Sequence, residues 1–183
     1  RSEYDDVIGK GILKLVPKES MPEGAKLFKS VWALRRKRRI LSGEVYTHKA
    51  RLNFDGSKQV KDEDYDVSFA PVASWESIRI LLALVLRNKW KTIQLDYVQA
   101  YPQAPAEREY YMEIPVGIDN ENTKGMVLKV EKNIYGQVQA SRVWNLHLVA
   151  KLKSIGFIQS EHDECVFYKG RAMYVLYTDD SIL

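Results

Sequence analysis

The alternation of apolar and polar positions divides the chain into short segments of two different periods. Residues 45–52 step by two: Tyr46, His48, Ala50 and Leu52 fall on one strand face, and Val45, Thr47, Lys49 and Arg51 share the other. With an arm around Val31, Trp32 and Leu34 and a turn near Ser42-Gly43, this pattern predicts a β-hairpin over 29–52. The Pro/Gly/Glu stretch 17–24, after a short polar start, and residues 55–66 read as loops. From 75 to 88 the chain is apolar nearly all round, which predicts a buried core helix with Ser74 as its N-cap.

Residues 91–97 return to period two, with Ile93, Leu95 and Tyr97 opposite Thr92, Gln94 and Asp96. Short strands are expected at 110–114 and 126–130, separated by an Asn/Gly-rich loop over 117–125. A second helix is expected over 140–155. Its apolar stripe is Val143, Trp144, Leu148, Leu152 and Ile155, and Gly156 fits the position just past the end. Strands at 165–168 and 173–177 joined at Lys169-Gly170 follow, then Thr178-Asp179-Asp180-Ser181, and Ile182-Leu183 would begin a further strand. Such an order of elements gives an α+β architecture, a sheet with helices packed on one face.

Composition adds limits. At 183 residues, 45% hydrophobic and 28% charged, the chain can bury a core of its own. No apolar run approaches the ~20 residues that a membrane helix needs, and the start lacks the pattern of a signal peptide. Cys165 stands alone, which excludes a disulfide framework within the chain and makes a reducing compartment the default. His48, His147 and His162 have neither the mutual spacing nor the cysteine partners of a zinc site. The net charge of +4 is unevenly spread. Arg35, Arg36, Lys37, Arg38, Arg39, Lys49 and Arg51 are opposed only by Glu44, whereas the stretch from Phe157 onward leans acidic. A basic front and an acidic back suit a protein that holds polyanions on one surface and metal ions on another; a solvated basic hairpin is the plainer alternative.

Three carboxylates are the candidates for chemistry. Asp179 and Asp180 sit at the expected tip of a hairpin with apolar arms. A turn is one use for such a pair, but two adjacent carboxylates there repel, and a cation would offset the repulsion. Asp96 ends a strand just before an expected turn. Mg²⁺ takes hard oxygen ligands, usually one or two carboxylates with phosphates and water, and a strand-end Asp beside a hairpin-tip Asp-Asp would supply them.

Several ordered segments add a resemblance. Lys49-Ala50-Arg51-Leu52, Y-D-V-S-F-A-P-V over 65–72, residues 77–83, Gln94-Leu95-Asp96, Tyr111-Met112-Glu113 with Pro115 and Gly117, Tyr135-Gly136, Trp144, Gly156-Phe157 and Y-T-D-D over 177–180 together resemble the copia-type retrotransposon reverse transcriptase domain. The resemblance runs from about Lys29 to the C-terminus. It implies a fingers-plus-palm fold, the palm being a ferredoxin-like antiparallel sheet with helices on one face, with the thumb absent because both termini read as cut. The expected division is a lead-in over 1–28, a fingers-like region over 29–90 and a palm over 91–183. The resemblance makes Asp96, Asp179 and Asp180 the catalytic, metal-holding residues for two Mg²⁺ ions, with Mn²⁺ as a substitute. It makes Lys49 and Arg51 the triphosphate grip, and Tyr101 the ring whose bulk excludes a ribose 2′-hydroxyl. Gly136 becomes the point where the backbone approaches nucleotide or template.

The implied activity is RNA-directed DNA polymerase, with RNA and DNA template-primer and deoxynucleoside triphosphate as partners. The rest of a Gag-Pol polyprotein, with its protease, integrase and ribonuclease H, would surround it in cytoplasmic particles that later reach the nucleus. The chain departs from the family where relatives read Y-G-L-K-Q-x-P-R-x-W. Gln137, Val138 and Ser141 stand in place of Leu, Lys and Pro. The segment after Asp96 departs as well, which bears on template contacts more than on the metal site. Because the chain closes just after the aspartate tip, the hairpin's return strand is expected to be missing and the isolated fragment inactive. The rival reading is a nucleic-acid-binding remnant without catalysis, with its aspartates poorly fixed. For Lys49 and Arg51 the plainer alternative is edge-strand surface charge, for Tyr101 and Trp144 it is packing, and Asp163 and Glu164 read as loop acids.

Overall fold

A computed structural model describes residues 2–118 and 120–183. Arg1, at the head of the expected lead-in, and Asp119, inside the expected 117–125 loop, lie outside the described residues. In chain order the elements are α1 (Ser2–Gly9), β1 (Leu13–Pro17), β2 (Leu27–Phe28), β3 (Ser30–Arg38), β4 (Val45–Phe54), α2 (Trp75–Asn88), β5 (Gln94–Asp96), β6 (Pro105–Met112), β7 (Met126–Lys132), α3 (Ala140–Ser154), β8 (Ile158–Gln159), β9 (Val166–Lys169), β10 (Ala172–Tyr177) and β11 (Asp180–Ile182). The expected α+β class is what the chain forms. Contacts group it into two compact units, each made of two stretches of sequence: residues 1–66 with 101–140, and residues 67–100 with 141–183. The chain passes from one unit to the other three times.

The first unit holds a four-stranded sheet in the order β1-β7-β6-β2, antiparallel except for the β6–β2 pair, and a separate two-stranded ribbon, β3–β4. The expected hairpin is this ribbon, carried two residues further at the end of β4. Its base is buried and its far end is not: Leu52 and Phe54 are buried, while nearly all of β3 beyond Trp32 is exposed. Phe28, Phe54 and Tyr110 pack ring against ring in the core, with Ile12, Leu13, Met112, Leu128, Val130 and Ile134 around them. The polar start expected at the N-terminus is instead helix α1, which buries Val7, and strand β1, which pairs with β7. In β1, Lys14 interrupts the apolar signal of Leu13, Leu15 and Val16, and five residues are too few to register a period.

The second unit is an antiparallel sheet in the order β5-β11-β10-β9-β8, accompanied by α2 and α3. Helix α3 ends as its sequence predicts. Gly156, at φ +90, donates its N–H to the Lys153 carbonyl, and the Phe157 N–H reaches the Leu152 carbonyl, a Schellman closure. Val143, Trp144, Leu148 and Leu152 are buried as expected, but Ile155, one residue beyond the helix, is exposed. Helix α2 departs further from expectation. Of its residues only Leu81 is buried, and Trp75, Ile80, Leu82 and Leu86 face solvent. Continuous apolarity here does not mean enclosure on all sides within this chain.

Asp163 is more than a loop acid. Its carboxylate accepts from the Ser74 N–H, the Ser77 hydroxyl and the Cys165 N–H, and so fastens the start of α2 to the turn before β9. Partial burial acts to raise its pKa, but the bonds from Ser77, Ser74 and Cys165 prevail and hold it below the ordinary 3.8. A depressed carboxylate pKa stabilises the fold above the unfolded value, and that contribution is lost as pH falls through the folded one. Asp163→Ala is therefore expected to cost about 1–2 kcal/mol at pH 7. The difference from the parent should shrink in urea titrations run below pH 3.8. Cys165 itself is fully buried, and burial pushes its thiol up to about 12, as suits an inert packing residue.

Candidate active site

Asp96, Asp179 and Asp180 all lie in the second unit, and strand register sets Asp96 opposite Asp180. In the β5–β11 ladder Asp96 is directly opposite Asp180, Leu95 opposite Ser181 and Gln94 opposite Ile182. Ile93 and Leu183 exchange both backbone hydrogen bonds, and the Tyr97 N–H donates to the Asp179 carbonyl at 3.1 Å. Counting residue by residue between these bonded positions, Asp96 and Asp180 form a non-hydrogen-bonded pair. Cα atoms in such pairs stand ~4.5 Å apart and side chains come closest. Both residues are exposed, on the same sheet face as Tyr177. Like charges directly opposite one another cost stability. Among the described residues no ion pair reaches either of them.

The expectation of a missing return strand is corrected here. Residues Asp180–Ile182 form β11, paired to β10 on one side and to β5 on the other. Asp180 thus has a ladder on both flanks, while Asp96 lies on the edge strand β5. Tyr177 opposite Asp180 leaves a two-residue turn, Thr178-Asp179, with Thr178 at φ +58. For a β-branched residue that conformation is strained.

The sheet's opposite face supports this turn. Trp144 of α3 is buried and its indole N–H donates to the Thr178 carbonyl at 3.0 Å. Its ring meets Tyr97 edge-on at 5.2 Å, and the Tyr97 and Tyr174 hydroxyls are 2.9 Å apart. Burial pushes the Tyr174 phenol well above its usual value, so it serves there as a neutral hydrogen-bond partner. Sequence reasoning placed Trp144 in the core but missed its part in holding the aspartate turn. The available signal was its N–H, since a buried indole needs an acceptor.

The other candidates lie in the first unit. Cross-strand register places Arg35 opposite Lys49 and Ala33 opposite Arg51, so Arg35, Lys37, Lys49 and Arg51 share one ribbon face and line an open hollow there. The Arg51 guanidinium sits 5.0 Å from the centre of the Tyr135 ring, and Tyr135 packs on Tyr101 with centroids 4.7 Å apart. An arginine and two mutually tilted rings therefore adjoin in succession, Arg51 to Tyr135 to Tyr101. Gly136 follows at φ +96, and a Cβ there would lie 2.0 Å from the Phe54 carbonyl oxygen. The close approach it allows in this structure is to the chain's own ribbon base, where the Phe54 N–H also donates to the Tyr135 carbonyl.

Of the departures at 137–141, Gln137 has a structural use of its own, and hydrogen bonds around it hold the segment. The Gln137 side chain accepts the Ile134 N–H, the Val138 N–H donates to Gln59, and Gln59 donates on to Gln139. Gln139 in turn donates to the Tyr110 hydroxyl, and burial pushes that phenol up to about 12. This buried network fixes the segment that presents Tyr135.

The exposed carboxylate pair fits a hard divalent cation in donor type and in its uncompensated charge. Among the described residues no three His, Cys, Asp or Glu side chains gather closely enough to hold a metal by themselves.

Comparisons with known proteins agree in direction. The family described as "Reverse transcriptase (RNA-dependent DNA polymerase)" matches residues 13–183. The chain is similar to the retrovirus-related Pol polyprotein from transposon TNT 1-94 of Nicotiana tabacum, at 32% identity over 100% of this chain and 14% of the relative. It is also similar to that from transposon RE2 of Arabidopsis thaliana, at 33% over 100% of this chain and 13% of the relative. A truncated transposon Ty1-A Gag-Pol polyprotein of Saccharomyces cerevisiae shows 28% identity over 75% of this chain and 11% of that protein. The chain thus spans about one seventh of the longer plant relatives' length. No solved structure matches it significantly.

Proposed function

The chain belongs to the reverse transcriptase (RNA-dependent DNA polymerase) family of copia-type retrotransposon Pol polyproteins, and from that premise we propose that it carries out templated DNA synthesis. In this reaction a primer 3′-hydroxyl attacks the α-phosphate of a deoxynucleoside triphosphate and pyrophosphate departs. The observation that carries the proposal is the register of β5 against β11, which sets Asp96 beside Asp180 with Asp179 next in line. These three carboxylates would hold two Mg²⁺ ions, or Mn²⁺ in their place. When bound, such ions activate the hydroxyl and neutralise charge on the leaving group. The protein's own part is to fix the acids. The β10–β11 turn, the Trp144 hydrogen bond and the Tyr97–Tyr174 contact hold their backbone in one conformation. RNA or DNA template-primer and the remaining polyprotein are the partners this reading implies.

In the first unit, Lys49 and Arg51 are the residues we assign to the triphosphate, through charge-assisted hydrogen bonds. Tyr101 is assigned to exclusion of the 2′-hydroxyl, its ring kept in place by Tyr135. Gly136 contributes by letting Tyr135 seat against the ribbon. The ribbon unit then corresponds to fingers and the β5–β11–β10 sheet to palm. Arg51→Ala is expected to raise the KM for deoxynucleotide about tenfold with a much smaller change in kcat, an effect of roughly 1.4 kcal/mol that weakens as salt rises. Steady-state extension at two salt concentrations tests it, and an unchanged KM would return Arg51 to surface charge.

A further inference from the structure

The far end of the ribbon is not used by any role assigned so far. Strands β3 and β4 pair only with each other. One face carries Arg35, Lys37, Lys49 and Arg51, with Arg35 and Lys49 directly opposite. Like charges in that position repel, yet no ribbon cation takes part in an ion pair among the described residues, although lysines and arginines elsewhere in the same unit do. At the tip, between Arg39 and Gly43, Ile40 is 99% and Leu41 101% exposed, and Leu34 behind them is also exposed. Two aliphatic side chains fully in water, at the end of an arm whose cations lack counter-ions, make a pattern that neither solubility nor the fold of this unit calls for.

Basic arms with apolar ends are suited to duplex nucleic acid. Cations grip the phosphates while the apolar end wedges between base steps and unstacks them. The ribbon's projecting length suits the task, since β3 and β4 run nine and ten residues. We propose that β3–β4 is a strand-parting pin. Arg35 and Lys37, beyond the pair assigned to the triphosphate, hold the backbone of a paired template, and Ile40 and Leu41 press against the terminal base pair of the strand that synthesis must displace. The proposal rests on the polymerase reading for its purpose, but not for the binding event itself.

The test uses a forked duplex with 2-aminopurine at the last paired position, whose fluorescence rises when that pair unstacks. Alongside it run primer extension on an open and on a blocked template, and binding to phosphatidylserine-containing vesicles. The protein compared with its variants is the Pol polyprotein segment that includes this chain. Its Ile40→Ser/Leu41→Ser variant should bind the fork within about twofold of the parent, since both changed side chains are fully exposed. The same variant should lose most of the fluorescence rise and slow extension through the block about tenfold while leaving open-template extension unchanged. Arg35→Ala/Lys37→Ala should instead weaken fork binding and lower its salt slope by about two. Unchanged fluorescence and blocked-template extension in the tip variant would overturn the proposal. So would a tip variant that loses only vesicle binding, which would mark a lipid-surface anchor. Absent open-template extension with intact fork opening would instead count against the polymerase reading and leave the pin standing.

Discussion

Asp96→Asn is expected to abolish primer extension while leaving the protein at least as stable as its parent. The substitution keeps the side chain's shape and replaces a charged metal ligand with a neutral amide. A loss of roughly 10³-fold or more in kcat, about 4 kcal/mol of transition-state stabilisation, is the scale for removing one member of a two-metal site. Stability should move the other way. Asp96 stands cross-strand from Asp180 with no cation paired to either among the described residues. Removing one charge relieves a repulsion of about 0.2–1 kcal/mol. Extension assays and thermal melts on the same preparation separate the two effects. Lost activity with a lowered Tm would indicate disrupted folding, and retained activity would remove Asp96 from the chemistry.

Gly136→Ala should be strongly destabilising for a single added methyl. Its φ of +96 is already costly for an L side chain, and the new Cβ would fall 2.0 Å from the Phe54 carbonyl oxygen, a backbone atom within the β4 core strand. Relief requires moving either the ribbon base or the 134–139 segment, which the Gln59–Gln139–Tyr110 network holds. A cost of about 4 kcal/mol and a fall of roughly 10 °C in Tm are expected. Gly156 provides the internal comparison. Its φ is +90, but a Cβ there meets only the Lys169 side chain at 3.7 Å, so Gly156→Ala should cost only about 1 kcal/mol. Equal costs at the two positions would show that the Phe54 contact is not what demands glycine at 136.

The elements that were legible in the sequence are those with a strong period or a terminal signal. The hairpin, the limits of α2 and the end of α3 at Gly156 all follow from alternation, Ser74 and glycine. What the pattern could not reveal was partnership. The apolar residues of α2 read as buried, yet burial depends on what packs there, and within this chain only Leu81 is enclosed. Asp163 looked like any turn acid because its three donors lie at both ends of the second unit's sequence. The candidate acids were legible as residue types, and the resemblance put them in order. The pairing of Asp96 with Asp180 depends on the β5–β11 register, which local sequence does not encode. Gly136 was legible as a glycine the chain needs, but the neighbour that requires it, Phe54, was visible only in the fold.

Counting bound Mn²⁺ by electron paramagnetic resonance bears most directly on whether the paired acids of β5 and β11 hold the ions for nucleotidyl transfer. The complex to use is the Pol segment with a chain-terminated primer, its template and the matching deoxynucleotide. Two ions per complex are expected for the parent, fewer for Asp96→Asn and for Asp180→Asn, and fewer still for the double variant, which retains Asp179 alone of the three acids. An undiminished count of tightly bound Mn²⁺ in the double variant would contradict the account.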